Sequence, residues 1–455
     1  MPGLSQILEI ARRALTAQQM GMSVTSHNIS NANTPGYSRQ RVSLVATSPT
    51  RTTSGLLGTG VTVGHIGRVR EQFIDQQIRL SNDSYGSATA QQRIFGQLEA
   101  TLNEPSDAGL GAAMSRFFNS FQDLSVHPEE SGPRNAVLQQ GAMLSQTFRR
   151  LNSSLTQLRS DVGNDAQGMV DRINSLAGEI SDLNVQITAA MSSGGDPVDL
   201  KDQRDLKIEE LSTLANFNIS EDQRGSVIVS LGGTEIVSGS VTTALSVIRS
   251  GDKMEVVSDA SGSAVNATGG ELGGMLKAFN TDISSALSKL DQLAGAIITR
   301  VNALHSGGYG LGTPPPTGNN FFSGTSAADI GVDTLVSGNI NNIAASGTGA
   351  PGDNAVAIAL SQVGSEPLLS GNSMSVTQFY GGFVSEVGSS LNAADNTARS
   401  QELILTQCES QRASVSGVSL DEEMTNLIKY QRSYDAAARV VNSVNELFLT
   451  ILNMV

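Results

Sequence analysis

From residue 144 onward, apolar side chains recur in alternating steps of four and three. They run Leu144, Phe148, Leu151, Leu155, Leu158, Val162, then Met169, Ile173, Leu176, Ile180, Leu183, Ile187 and Met191. This is the seam of a long coiled-coil-type helix. Asp165 occupies one apolar slot, with Gly163 and Gly168 on either side. The pattern therefore predicts an irregularity there, either a bend or a loop over 163–168 separating two helices. The same spacing recurs at Phe279, Ile283, Ala286, Leu290, Leu293 and Ile297. It returns at Val384, Val387, Leu391, Ala394, Ala398, Leu405 and Cys408, with Gln401 in one core slot. Cys408 is thus expected on an apolar helix face, as a buried structural thiol.

Between these helices the period changes. Residues 216–271 alternate apolar and polar, with glycine punctuation in "SVIVSLGG", "ALSVIRSGDKMEVVS" and "ATGGELGG". Val227, Val229 and Leu231 would share one strand face, and "SGDK" has the chemistry of a hairpin turn. Residues 306–320, "SGGYGLGTPPPTGNN", read as a loop, since consecutive prolines continue neither helix nor central strand. Residues 323–356 show little periodicity. The expected fold class is mainly α with β inserts: terminal helices paired as a coiled coil, a long central helical bundle and a small β subdomain.

The two ends mirror each other. Leu8, Leu15, Met22 and Ile29 stand seven apart, with Leu4 and Ala11 between them. Leu420, Leu427, Tyr434, Val441, Phe448 and Val455 also stand seven apart, with Met424 and Ala438 in alternate slots. After Val441 the stripe moves to Val444, Phe448, Ile451 and Val455, which changes the local winding. Burying one such seam does not offset the entropy of ordering a lone helix of this length. The ends are expected to pair with each other and to be stably ordered inside an assembly of many chains. Between the first helix and two strand-like segments lies "SNANTPGYSR" (30–39). In "TPGY", Pro35 presets φ for the second turn position and Gly36 supplies positive φ for the third, a type II turn. Asn28, Asn31 and Asn33 can bond nearby backbone and end the preceding helix.

Composition narrows the function. The net charge is −14, which argues against general nucleic-acid binding. Residues 1–45 carry a net of +3, so the remainder carries −17. A single cysteine excludes an internal disulfide framework. The most apolar run, "LFLTILNMV", is about half the length of a membrane span. The N-terminal stretch has no continuous apolar core of the kind a secretory signal carries. No catalytic constellation emerges. His27, His65, His127 and His305 lack a second ligand at helical spacing, and no phosphate-binding glycine loop or nucleophile elbow occurs. Glu422–Glu423 and "HPEE" (127–130) read as solvated faces or helix starts. No cofactor and no metal are expected.

"NISNANTPGYSRQ" (28–40) after a heptad helix resembles the signature of the axial proteins of the bacterial flagellum, which form rod, hook and hook-associated segments. "SGVSLDEEMTNLIKYQRSYDAAARVVNSVNELFLTILNMV" (416–455) is similar to their C-terminal helix. "DLKDQRDLKIEELSTLANFNI" (199–219), "GGELGGML" (269–276) and "GDNAVAIALSQ" (352–362) fit the hook-associated members. The resemblance implies a structural, non-enzymatic part that joins hook to filament. It implies nested units: an inner tube unit of 1–65 with 400–455, a central helical bundle of 66–215 with 272–399, the β subdomain at 216–271, and an irregular outer region at 306–360. The family often carries a larger insert near position 320, and here that region is short. The implied partners are other copies of the chain in a ring or helical array, the hook protein, a second hook–filament junction protein, an export chaperone on the C-terminal helix and the flagellar type III export apparatus. The implied location is the flagellum outside the cell, reached without a cleaved signal. The assembly residues so implied are Leu8, Leu15, Met22, Asn28, Ile29, Asn31, Asn33, Pro35, Gly36 and Tyr37 at one end. At the other they are Leu420, Met424, Leu427, Tyr434, Val441, Phe448 and Ile451. A different type III-secreted coiled-coil protein, a translocator or effector, shares the heptads and the absent disulfides but has no need of "NTPGYSR".

Overall fold

A computed structural model describes residues 2–52 and 55–453; the expected stripe position Val455 lies outside them. The chain opens with α1 (Pro2–Ser30). An arm follows, made of β1 (Gln40–Ala46), β2 (Thr50–Thr52), β3 (Gly55–Leu57) and β4 (Val61–Arg68). β1 pairs antiparallel with β4 through a bulge at Ser43/Leu44, and β2 with β3. The body begins at α2 (Gln72–Leu102) and continues through α3 (Leu110–Val126), α4 (Ser131–Ser192) and α5 (Val198–Leu214).

Short strands come next. β5 (Phe217–Glu221), β6 (Val227–Leu231), β7 (Thr234–Ser238) and β8 (Val241–Thr242) form one antiparallel sheet in that order. β9 (Leu245–Ser250), β10 (Lys253–Ser258) and β11 (Ala264–Val265) form a second. The chain returns to helix in α6 (Gly270–Lys277), which runs through a π-helical turn into α7 (Ile283–Ser306). After β12 (Phe322–Ser323), β13 (Gly331–Val332), α8 (Thr334–Gly338), α9 (Ala355–Gln362), β14 (Pro367–Leu369) and β15 (Met374–Ser375) come the last two long helices. These are α10 (Val376–Ser416) and α11 (Leu420–Asn453). α10 starts on a capping box between Ser375 and Gln378 and runs unbroken past position 400.

The alternative of a loop at 163–168 is excluded: α4 is one helix of 62 residues. The apolar stripe steps from Val162 to Ala166 to Val170 before resuming at Ile173, all buried. With the step from Leu158 to Val162, three steps of four follow one another and form a stutter, which a continuous helix absorbs by local unwinding of the stripe. Asp165 points outward and pairs with Arg93 of α2 at 2.9 Å. Gly163 has a packing role: a Cβ there would lie 2.7 Å from the Arg249 guanidinium of β9.

The β segment follows its expected alternation, and Gly251–Asp252 turn β9 into β10 with φ +58° at the glycine. The strands bury Val227, Val229, Leu231, Ile236, Val237, Met254 and Val256 in the same apolar cluster as α4. Two asparagines of α4 act as surrogate strand backbone. Asn184 bonds the N–H and C=O of Val227, and Asn174 those of Leu245. The aperiodic stretch 323–356 proves to be core: Ala327, Ile330, Val336, Ile343 and Ala345 are buried. Ahead of it, Phe321 and Phe322 stack with Phe117 and Phe121 of α3. The loop at 306–320 is held by His305, whose Nδ1–H donates to Asn319 O while Nε2 accepts from Ala344 N–H. Among the described residues no helix is long and apolar enough to cross a membrane, and no His/Cys/Asp/Glu group is placed to hold a metal ion.

Candidate functional site

α1 and α11 pack along each other, bringing the two chain ends together. The contact is built on small residues. α1 buries Ala11, Ala17, Gly21, Val24, Thr25 and Asn28, so the helices approach closely. At Gly21 a Cβ would come within 2.7 Å of the Tyr430 ring, which occupies that notch. The larger apolar residues flank this seam. Leu8, Leu15, Met22 and Ile29 are half-buried, as are Leu427, Tyr434, Val441, Phe448 and Ile451. Leu420 and Met424 do not join the seam: they are 49% and 56% exposed. The position that turns inward beside them is Glu423, which is 2% exposed. Glu422 stays exposed and both acids lie in the first turn of α11, as a solvated face or helix start requires; the solvated reading is corrected for Glu423 alone.

Glu423 is buried because the turn after α1 supplies its partners. Thr34–Tyr37 form the expected type II turn, with Tyr37 N–H on Thr34 O at 3.2 Å and Gly36 at φ +77°. Pro35, Gly36 and Asn33 stay exposed. Asn31 closes the helix as expected, its side chain donating to His27 O. Asn28 instead reaches across. Its amide donates to Gln40 O and to Glu423 Oε2, while its carbonyl oxygen accepts from Gln40 N–H and Tyr37 O–H. Arg39 completes the cluster, with Nε on Glu423 and a two-pronged contact to Glu422. That contact holds Glu422 below the usual carboxylate range, while burial and nearby carboxylates push the Tyr37 hydroxyl up. The turn, α1 and α11 therefore lock into one terminal unit.

A second polar cluster ties that unit to the body. α5 places Asp199, Asp202 and Asp205 three residues apart on one face. Gln40 Nε2 donates to Asp199 at 2.7 Å, and Ser38 donates both its N–H and its Oγ–H to Asp202 at 2.8 Å. Arg68 bridges Asp202 and Asp205, and Arg70 also bonds Asp205. One helical turn on, Glu209 meets Arg412 of α10; burial raises its pKa, against the pull of Arg412. None of these acids was singled out by sequence reasoning. Their spacing in "DLKDQRDLKIEE", read beside "SRQ" and "RVR", was the available signal. Cys408 is buried against Ile74 and Ile78, on the apolar helix face expected for it.

Comparison with known proteins now bears on this arrangement. Residues 8–37 match the family described as "Flagella basal body rod protein", and residues 409–454 match "Flagellar basal body rod FlgEFG protein C-terminal". The paired ends thus have the segments of flagellar rod-type axial proteins. Residues 95–322 match "Flagellar hook-associated protein FlgK helical domain". The flagellar hook-associated protein 1 of Bacillus subtilis (strain 168) is 33% identical over 98% of this chain and 97% of its own length. That of Escherichia coli (strain K12) is 24% identical over 99% of this chain and 100% of its own, in an alignment of 547 positions. That alignment is longer than this chain, so the relative carries segments absent here. The solved flagellar hook junction protein FlgK of Burkholderia pseudomallei shares the fold, with a TM-score of 0.65 over 75% of this chain and all of its own, at 17% identity. The chain belongs to the flagellar hook-associated protein 1 family, and it is a structural component of the bacterial flagellum. The translocator or effector reading has no support beside these matches.

Proposed function

We propose that the chain is the adaptor between hook and filament, polymerising at the distal end of the hook as a thin ring and meeting a second junction protein above. The observation that carries this reading is the outward face of the terminal unit. Ile7, Leu420, Met424, Ile428 and Leu452 are 44%, 49%, 56%, 49% and 74% exposed on helices that already have one partner. Leu420, Met424 and Ile428 stand one helical turn apart on α11, and an exposed apolar stripe of this kind is expected to be covered by another subunit. In this reading residues 1–65 with 400–455 form the inner tube. The helices of 66–215 and 272–399 stand outside it, 216–271 and 306–360 outermost. Leu427, Tyr434, Val441, Phe448 and Ile451, with Leu8, Leu15, Met22 and Ile29, hold the pair. Leu420 and Met424 face neighbours, and Asn28, Asn31, Asn33, Pro35, Gly36 and Tyr37 set the exit from the tube. Delivery runs through the flagellar type III export apparatus to the outside of the cell, with a chaperone covering α11 on the way. The role is structural and involves no catalysis.

The test is complementation of a bacterium lacking its own copy of the gene. The wild-type chain is expected at the hook tip by immunogold electron microscopy, with filaments attached. Val441→Asp with Phe448→Asp is expected to abolish both while leaving the melting of the body unchanged. Normal assembly by that variant would overturn the assignment.

A further inference from the structure

We infer that β3 of one copy adds as a strand to the free edge of β5 in a neighbouring copy, so that the arm of each subunit fills a cleft in the body of the next. The inference rests on the array of copies proposed above and names one contact within it.

The cleft has a volume of about 940 Å³ and is lined by residues of β4, α2, α5 and β5. β5 is the edge of its sheet, paired with β6 alone. Asp222 N–H bonds Ser226 O on the β6 side. By alternation the backbone groups of Ser220 and Asn218 also face β6, and those of Ile219 and Glu221 face outward. Val227, opposite Glu221, gives both its backbone groups to Asn184 and none to β5. Such a row of unpaired strand backbone is a template for a further strand. Other groups beside this edge are also unmatched. Asp83 Oδ1 on α2 and Arg204 Nε on α5 are buried without a hydrogen bond, and Leu80 on α2 is 61% exposed. All three residues line the cleft.

The arm supplies what the cleft lacks. β2 and β3 form a sheet of two strands, which is marginal in water by itself. Leu56 and Leu57 on β3 are 72% and 50% exposed. Successive side chains of a strand point to opposite faces, so an added β3 turns one of these leucines to the floor, where Leu80 lies. Residues 40–68 carry Arg41, Arg51 and Arg68 and no Asp or Glu. Arg51 is the cross-strand partner of Leu56. The hairpin that brings the leucines therefore brings a cation for the Asp83 carboxylate, which pairs with none among the described residues. The tip does not reach the cleft of its own chain. Asn28 bonds Gln40 at the base of the arm, while Gly60 beyond β3 lies against Ile10. Ile10 and Asn28 both lie on α1, separated by about 27 Å of helix. Pairing of one surface with a different one on the next copy is a head-to-tail contact, which generates rings or helical arrays.

The test uses two full-length variants, Leu57→Cys on the arm and Asn218→Cys on β5, each with Cys408→Ala to remove the native thiol. They are co-expressed in a bacterium lacking its own copy of the gene, and the isolated flagella are treated with a short bis-maleimide linker, which tolerates a shift in register. A dimer containing one of each variant is expected. None is expected when Gln139→Cys, an exposed position of α4 away from the cleft, replaces Asn218→Cys. Glu221→Pro in the β5 partner removes an edge N–H, and the yield is expected to fall about fivefold, as for loss of one backbone hydrogen bond, with the melting of the body unchanged. Glu221→Gln keeps that N–H and is expected to keep the yield. Leu56→Asp approaches the same contact from the arm and decides the matter if the proline variant does not fold. Chains present at the hook tip by immunogold microscopy but not linked would overturn this contact and leave the adaptor reading standing. Chains absent from the hook tip would overturn the adaptor reading and this contact with it. A link formed only within single chains carrying both cysteines would show the arm closing on its own cleft, and would also overturn the inference.

Discussion

Phe117 in the body and Tyr430 at the terminus are both aromatic groups packed against a neighbouring helix or loop, yet their surroundings differ. Phe117 is 0% exposed, with ring centroids 5.3 Å from Phe118, Phe121 and Phe322. Tyr430 is half-buried and rests in the notch at Gly21. The body excludes water with large interlocking side chains. The terminal unit brings backbones together over alanine and glycine and seals the contact with one buried polar cluster around Glu423. A surface built the first way is finished within the chain. One built the second way leaves its larger apolar residues on the outside, free to meet other subunits.

The sharpest way to break this contrast is Phe117→Ala. Loss of a fully buried aromatic is expected to cost about 3–5 kcal/mol in denaturant unfolding of the body. Hydrogen exchange in α1 and α11 should stay unchanged; a matching loss of protection there would mean that the two regions share one cooperative core.

Acid offers the next test. Burial lowers the pKa of His305 from 6.5 to about 4, opposed by its bond to Asn319. A depressed histidine stabilises the fold in its neutral form. That contribution is complete above about pH 6.5 and is lost as pH falls toward about 4, a span worth about 3 kcal/mol. The body of His305→Gln should therefore show a flatter stability curve between these limits. An unchanged slope would show that His305 does not control it.

At the terminal unit, Asn28→Ala removes the side-chain partner of the Gln40 backbone N–H and C=O, the acceptor of the Tyr37 hydroxyl and one partner of Glu423. The expected cost is about 1–3 kcal/mol, seen as faster hydrogen exchange in residues 10–30 and 420–445 and not in α3 or α4. Wild-type exchange rates in these segments would mean that Arg39 alone satisfies the buried carboxylate. The smallest expected effect is Leu420→Ser with Met424→Ser. Both residues are exposed, so unfolding should shift by no more than about 0.5 kcal/mol, while incorporation at the hook tip should fall sharply. Undiminished incorporation would place the contact between neighbouring copies elsewhere.

Local chemistry made much of this protein readable before any contact was known. The four-and-three spacing marked the long helices, "SGDK" marked a hairpin and "TPGY" a type II turn, because period and backbone preference act over a few residues. The matching stripes at the two ends announced that the ends pair. Other features depended on residues distant in sequence. Glu423 turns inward because Asn28 and Arg39, nearly 400 positions away, satisfy its oxygens. Met424, the next position round the helix from Glu423, is 56% exposed, and Leu420, at the first position of α11, is 49% exposed. Asp165 fits an unbroken α4 by facing outward to Arg93 of α2, while Gly163 leaves room for Arg249 of β9. Residues 323–356 have no period because they fill gaps between α3, α4 and α7 one side chain at a time, and a gap has no repeat. Spacing determined which elements form and where they turn; the burial of charge and the filling of irregular space were decided only when distant partners met, because both depend on neighbours that no local pattern names.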